Sequence, residues 1–411
     1  MKTVLVIGGG AAGLMSAISA SESGASVTVL EAGERTGRKL LVTGNGKCNF
    51  TNRHMTAECF HSEHPEKIMP FLSLFGVEET IDFFRKLGVL VRDKGGYLYP
   101  RSEQAASVWA ALFARAKELS VRFLYNQKVT DIRPEASGFQ VSTSNGEFSS
   151  DTVILASGGI VAPKTGSDGR GLLLAERLGH RIIPVAPALV QLTAAGFPFR
   201  KASGVRTQAR IQIYSGEVLL AEDTGEIQIT DYGLSGIPAF QVSRQAAKAV
   251  AAKRDVKAVL DFFPEFTSEE LREEIFLRRS LHPEWSSALF LNGMLPDKLS
   301  SALLSAAGIS LQDTWKEIPD KKIEKLLLQC KSLTVSITGT TGFLSAQVTA
   351  GGIPLDEIRE GTCESLLVPG LYLAGEILDV DGICGGYNLQ WAWTTGFLAG
   401  RAAAGGIENN R

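Results

Sequence analysis

The chain has 411 residues, enough for two or three structural units at the usual ~100–200 residues per domain. Charged residues make up 21% and balance to a formal net charge of −2, with no basic block or stripe, which argues against nucleic acid or an anionic membrane surface as partner and for a small-molecule substrate. The five cysteines are scattered without a CxxC pair, which argues against a secreted disulfide framework and makes a reducing cytoplasm the expected compartment.

Val4–Ile7 reads as a buried strand, Ala12–Ser23 as a helix stopped by Gly24, and Val27–Leu30 as a second strand. Lys2 and the apolar residues after it loosely imitate a signal peptide, but Gly8, Gly9 and Gly10 cut that run short, and no later run reaches the ~18 residues of a membrane span. Strand and helix are joined by Gly8-Gly9-Gly10-Ala11-Ala12-Gly13, a G-x-G-x-x-G turn. Gly8 closes the turn, Gly10 admits a pyrophosphate to the backbone, Gly13 lets helix and strand pack closely, and the helix start offers free N–H groups at Ala11 and Ala12. Glu31 ends the second strand 18 residues after Gly13, where an acid accepts the hydroxyls of a ribose and opposes a 2′-phosphate. Ala32, Arg38 and Lys39, just beyond it, join the candidate cofactor set.

Thr43–Asn52 packs Gly44 and Gly46 among hydrogen-bonding side chains, a density suited to a long cofactor laid on backbone, with Asn45, Cys48 and Asn49 as further candidates. Cys48 reads as a small residue packed beside that cofactor in preference to a redox or covalent-flavin thiol. His54, His61 and His64 have no metal-ligand spacing, and no metal is expected. Asp151–Ala156 reads as a buried strand ending in Ser157-Gly158-Gly159, and Gly169–Leu178 as a helix closed by Gly179. From about 190 the texture changes. Arg210–Tyr214 and Glu226–Thr230 alternate polar and apolar like half-exposed antiparallel strands, and Thr267-Ser268-Glu269-Glu270 forms a capping box. Helical stretches follow near Lys298–Ala307 and Lys321–Cys330. Past about 335 the glycine-rich, apolar texture returns. The expected organisation is a discontinuous α/β Rossmann-type unit, 1–190 and 336–411, interrupted by an insert at 191–335 with strands in 191–265 and helices in 266–332.

The return segment holds Ala374-Gly375-Glu376, then Gly382 through Gly386, Tyr387, Asn388 and Leu389 leading into an apolar helix. A second helix N-terminus far from the first suits a flavin, whose reduced form carries negative charge at N1/O2, while Glu376 would accept from the ribityl hydroxyls. FAD, held non-covalently, is the expected cofactor.

With Gly233-Leu234-Ser235-Gly236, Gln347–Gly352 and the run from Ala374 to Trp393, these motifs resemble the BaiN-like NAD(P)/FAD-dependent oxidoreductases over the whole chain. That bacterial flavoprotein family includes aminoacetone oxidases and bile-acid-type enone reductases. The resemblance implies an FAD domain interrupted by a barrel-like and helical insert. It also implies a backbone contact from Val129 to the adenine, with Ala156, Ser157 and Gly158 beside the cofactor. This chain departs from the family's Gly-Arg-x-Phe/Tyr-Pro at Gly96-Tyr97-Leu98-Tyr99-Pro100, with Arg101 following. Tyr387, Asp379 and Arg101 are the catalytic candidates, with Tyr97 and Asp381 on the substrate side. The resemblance favours an NAD(P)H-linked reductase of a conjugated carbonyl, small or steroid-like. An amine oxidase using oxygen and a flavin-bound, non-enzymatic interaction module are the alternatives. No second G-x-G-x-x-G is present, so NAD(P)H would bind only transiently over the flavin.

Overall fold

A computed structural model describes residues 1–196 and 199–405, so 197–198 of the expected insert and 406–411 of the expected C-terminal stretch lie outside the described residues. The chain forms two compact units, one of residues 1–186 with 348–411 and one of 187–347.

The first unit opens with β1 (Thr3–Ile7), α1 (Ala11–Glu22) and β2 (Ser26–Leu30). It continues with β3 (Thr51–Asn52), β4 (Phe60–His61), α2 (Ile68–Leu74) and α3 (Val77–Lys86). Next come β5 (Val91–Lys94), β6 (Tyr97–Pro100), α4 (Ala105–Glu118) and β7 (Arg122–Leu124). The three strands β8 (Val129–Glu135), β9 (Gly138–Thr143) and β10 (Gly146–Ser150) form a small antiparallel sheet. Then follow β11 (Thr152–Leu155), α5 (Arg170–Arg177) and β12 (Ile183–Ala188).

The second unit contains β13 (Leu192–Ala195), β14 (Arg206–Ser215), β15 (Val218–Ile229), β16 (Gly233–Gly236), α6 (Ile237–Ala251) and β17 (Val256–Asp261). Four helices follow: α7 (Ser268–Leu281), α8 (Ser287–Phe290), α9 (Asp297–Ala307) and α10 (Asp320–Ser332). β18 (Leu333–Thr340) closes the six antiparallel strands into a barrel in the order β13-β16-β15-β14-β17-β18. The alternation of β14 turns Ala209, Ile211 and Ile213 inward, and Ile227 and Ile229 of β15 join them in the core. The expected capping box is present, with the Thr267 hydroxyl accepting the Glu270 N–H at 3.1 Å and the Glu270 carboxylate accepting the Thr267 N–H at 2.7 Å.

The chain returns to the first unit through β19 (Val348–Gly352), β20 (Leu371–Leu373), β21 (Asp381–Gly382) and α11 (Tyr387–Ala403). Its central sheet is parallel, in the order β20-β11-β1-β2-β7. Val4, Val6, Val29, Val153, Ile154 and Leu371 are buried in it, the near-continuous apolar strands that a sheet covered on both faces requires. The α/β class, the Rossmann-type parallel sheet and the antiparallel barrel with helices are those expected from the sequence and its resemblance. Among the described residues no helix is long and apolar enough to cross a membrane.

Candidate functional site

The parallel sheet brings distant segments to the carboxyl ends of its strands: Gly8 after β1, Glu31 after β2, Ala156 after β11 and Ala374 after β20. The chain leaves β1 toward β2 on one side and later fills β11 and β20 on the other. β1 is therefore where the strand order reverses, the place at which open parallel sheets leave a crevice for a ligand. The turn there is close-packed. A Cβ at Gly13 would overlap the Gly8 carbonyl oxygen, and one at Gly8 would lie 2.6 Å from the Ala156 carbonyl oxygen. Gly10 differs, because no described atom lies within 4 Å of the place its Cβ would take. That open face adjoins the unpaired N–H groups of the first turn of α1, which starts at Ala11 and Ala12.

Glu31 is buried, and its two oxygens accept the N–H groups of Gly9 and Gly33, each at 2.8 Å. A carboxylate has about four acceptor positions, so capacity remains for a ribose diol. Asn126 and Gln127 donate their N–H groups to the Gly33 and Glu31 carbonyls at 3.0 and 2.9 Å, which lays the backbone leading to Val129 along the end of β2. Ala32 and Arg38 are exposed, and Arg38 donates to the Lys164 carbonyl. Lys39 pairs with Glu376 at 2.5 Å, and the other Glu376 oxygen accepts the Thr349 N–H at 2.9 Å. Glu376 thus ties the first cofactor segment to the return segment.

In the loop after Lys39, Gly44, Asn45, Gly46 and Cys48 are all left-handed, which folds the chain into a tight coil. Burial, opposed only by a hydrogen bond to Thr43, pushes the Cys48 thiol up to about 12, so it stays protonated and acts as packing. Of the five cysteines only Cys384 is partly exposed. Iodoacetamide at pH 8 is expected to alkylate the folded protein at Cys384 alone, read by peptide mass spectrometry; labelling of Cys48 before unfolding would contradict the packing role.

Asn49 Oδ1 and Ser157 Oγ are buried polar atoms with no hydrogen-bond partner among the described residues. Such atoms are rare in folded proteins, and both lie in segments read as cofactor-binding. Ala156 itself is fixed by donating its N–H to the Ile7 carbonyl at 2.9 Å. The left-handed Gly158 follows it in the same turn.

The second helix N-terminus is built more rigidly than the sequence shows. The left-handed Gly386 caps α11, and a Cβ there would fall 2.7 Å from the Thr51 carbonyl oxygen, so its bare face packs on backbone and not on a ligand. Asn388 clamps Gly382, accepting its N–H and donating to its carbonyl, both at 2.8 Å. Leu389 completes the first turn. Further along, a Cβ at Gly396 would lie 2.6 Å from the Ala12 carbonyl oxygen, and one at Gly400 would overlap the Ser16 carbonyl oxygen. The two helices therefore run in the same direction in close contact. Tyr387 lies nine residues before Gly396 and Ala11 one before Ala12, so the start of α11 projects about 12 Å beyond that of α1 at 1.5 Å per residue. One long cofactor, anionic at its pyrophosphate and at its reduced ring, can meet both positive helix ends at once. With the orphaned polar atoms and the open face of Gly10, the residues present fit FAD.

Tyr387 is buried with its ring edge-on to Phe60 at 5.7 Å. Burial first, then a hydrogen bond with Cys59, raises its phenol well above the ordinary tyrosine range. Tyr97 joins it, since a Cβ at Gly385 would lie 2.9 Å from the Tyr387 ring and 3.0 Å from that of Tyr97. Asp379 is buried, with Oδ2 accepting the Glu63 N–H at 2.7 Å and the Ser62 hydroxyl at 3.3 Å. Asp381, in β21, faces His61 at 3.7 Å. Arg101 is exposed in the turn after β6, about 13 Å along the strand from Tyr97. His64 lies between Glu66 and Asp356, and no group of metal-binding side chains gathers among the described residues. Trp391 and Trp393 are core, with Trp393 donating to the Phe50 carbonyl at 2.9 Å. Gly9, Asn52, Tyr99 and Thr349 stand inside motifs that the sequence singles out, but their contacts with Glu31, Gly385, the Gly44 loop and Glu376 are not legible there. The pair Gly396 and Gly400, one helical turn apart opposite the small residues of α1, did carry a signal of close helix contact.

The fold and this glycine-lined cradle define a Rossmann-type dinucleotide-binding protein. The chain belongs to the HI0933-like family, whose Rossmann domain matches residues 2–402. It is 45% identical over 406 residues, 98% of this chain and 99% of the relative, to the 3-dehydro-bile acid delta(4,6)-reductase of Clostridium scindens. It is 28% identical over 397 residues, 95% of each chain, to a ribosomal RNA dihydrouridine synthase of Escherichia coli K12. Among solved structures, the 3-ketosteroid-delta4-(5alpha)-dehydrogenase of Rhodococcus jostii RHA1 aligns over 98% of this chain and 96% of its own, with 17% identity and a TM-score of 0.49. Because one relative is named for ribosomal RNA, the charge balance does not by itself exclude a nucleic-acid partner.

Proposed function

We propose that the protein is an FAD-dependent reductase that adds hydrogen across a carbon–carbon double bond conjugated to a carbonyl, taking a steroid-like enone as substrate and NAD(P)H as donor. The observation that carries this reading is the 45% identity, along nearly the whole of both chains, with a bile-acid delta(4,6)-reductase. The more distant relative's name points to the same bond type, since dihydrouridine is uridine with its ring double bond, conjugated to a carbonyl, reduced.

Bound FAD would supply the two-electron chemistry that links donor to enone. The chain's own residues bind and orient it. Gly10 and the start of α1 receive the pyrophosphate, Glu31 the ribose, and the Val129 backbone the adenine. Gly44 to Asn49 and Ala156 to Gly158 line its length, and Glu376, held by Lys39, meets the ribityl chain. The N–H groups of Tyr387, Asn388 and Leu389, in the first turn of α11, would hold the ring's N1/O2 edge. Tyr387 keeps its proton through neutral pH and offers it to the substrate carbonyl. Asp379 positions the loop at 62–64, and Arg101 offers a charge to an acidic substrate tail.

Anaerobic mixing with NADH or NADPH is expected to bleach the ~450 nm flavin band. A steroid 4-en-3-one should then restore the band and appear by mass spectrometry with two added hydrogens. Bleaching by amines alone would replace this reading with that of an amine oxidase, and a reduced enzyme that ignores enones would overturn it.

A further inference from the structure

With no second Rossmann turn, a nicotinamide donor needs an anionic anchor elsewhere, and the hairpin of β5 and β6 offers one. Cross-strand partners share a face, and Arg92 opposes Tyr99 while Lys94 opposes Tyr97. All four side chains therefore stand on one face of the three-stranded sheet β3-β6-β5, with Leu98 and Pro100 buried behind it. That face looks toward both glycine loops of the cradle: the Tyr99 ring is 4.0 Å from where a Cβ of Gly44 would sit, and the Tyr97 ring 3.0 Å from that of Gly385.

The cations on it converge. Arg92 pairs with Glu103, Lys94 reaches the same carboxylate at 2.8 Å, and Lys47, from the loop of Gly44 and Gly46, at 3.7 Å. Hydrogen bonding to Lys94 and the charges around it hold Glu103 below the ordinary carboxylate range, so it contributes one negative charge against three positive ones. The Lys94 ammonium also lies 5.2 Å over the Tyr99 ring. The local excess of about two positive charges matches a phosphate dianion, and the two tyrosine rings offer stacking surfaces to a heteroaromatic base.

We infer that this face of the β5–β6 hairpin, with Lys47, Arg92 and Lys94 around Glu103 and the rings of Tyr97 and Tyr99, docks the phosphate-bearing adenosine end of the electron donor and selects NADPH over NADH through the 2′-phosphate. The inference rests on the donor reading above and names its chemistry.

The test uses the FAD-loaded enzyme and two unreactive probes, adenosine 2′,5′-bisphosphate and 5′-AMP, by calorimetry. Charge-assisted hydrogen bonds to the phosphate should make the bisphosphate bind about tenfold or more tighter than 5′-AMP. Lys94→Gln and Arg92→Gln should each remove about tenfold of that preference, leaving 5′-AMP affinity within about twofold. Glu103→Gln should act in the opposite direction and tighten the bisphosphate, because it removes the competing anion. A purely structural ion-pair network would instead lose flavin content and melting temperature in all three variants without changing the preference, and that result overturns the proposal. So would equal binding of the two probes. A single-stranded RNA oligonucleotide that loses affinity in Lys94→Gln while the bisphosphate fails to compete would assign the face to RNA and overturn it too. If the preference and its charge dependence hold but neither NADPH nor NADH bleaches the flavin, the docking site stands and the reductase reading falls. If NADPH bleaches and the variants keep the preference, the reductase reading stands and the site falls.

Discussion

Glu31→Ala is expected to weaken FAD binding by about a hundredfold or more. The carboxylate accepts two backbone N–H groups, from Gly9 in the phosphate turn and Gly33 beyond β2. A hydrogen bond to a charged group contributes about 1.5–3 kcal/mol, and ~1.4 kcal/mol is tenfold in affinity. Removal therefore leaves two donors without their acceptor and takes away the acceptors proposed for the ribose. Water reaching the exposed Ala32 side offsets part of that loss. Glu31→Gln keeps one acceptor oxygen and turns the other end into a donor that faces a backbone N–H, so it should fall between the two. Flavin fluorescence on titrating apoprotein with FAD gives all three affinities. Glu31→Ala within threefold of the unaltered chain would remove Glu31 from the cofactor site.

That carboxylate also shows how far local reading reaches. β1, α1 and β2 were legible because their signals lie within one βαβ stretch: a short apolar run, three spaced glycines, and an acid at the end of the next strand. What the acid holds was not legible. The bond to Gly9 depends on the lateral spacing of β1 and β2, and on Thr36, which leaves Gly9 no room for a side chain. Reading at a distance failed in the same way at the other end of the chain. Gly386 looks in sequence like a bare approach to the flavin ring, yet its open side is filled by the Thr51 backbone. The Asn388 amide looks wholly free in sequence, yet its oxygen and its nitrogen each hold one bond to Gly382. At Gly386 a segment far away in the chain, and at Asn388 a turn only six residues back, takes up capacity that the sequence leaves open.

The hairpin of β5 and β6 is the plainest example. Its sequence stands out only as a departure from the family pattern, and four alternating polar and aromatic residues do not reveal a shared face until the register pairs Arg92 with Tyr99. The barrel has the same origin. Alternation identifies β14 and β15 as half-exposed strands, but closure needs β18, which lies beyond the five helices α6 to α10 of the insert. Contacts of long sequence separation carry such architecture, and periodicity within a single strand carries no record of them.

The sharpest separation of cofactor role from packing role lies in two glycines of one turn. Gly10→Ala is expected to leave the apoprotein's melting temperature unchanged or slightly raised while FAD affinity drops. Gly10 has φ −79° and ψ −164°, which alanine adopts freely, and its Cβ would meet no described atom within 4 Å. Restricting the unfolded chain even favours the alanine by about 0.4–1 kcal/mol. The space the methyl group enters is the space proposed for the pyrophosphate. Forcing one methyl group into a filled contact costs about 1–3 kcal/mol, so affinity should fall about five- to a hundredfold. Gly13→Ala should behave in the reverse order. Its methyl group would run into the Gly8 carbonyl whether or not FAD is present. The apoprotein itself should then lose about 1–3 kcal/mol, which is several degrees of melting temperature in a unit of this size. Apoprotein melting curves and FAD titrations of both variants decide the matter. A Gly10→Ala apoprotein that melts as early as Gly13→Ala would make Gly10 a packing residue, and one that binds FAD normally would move the pyrophosphate away from the turn.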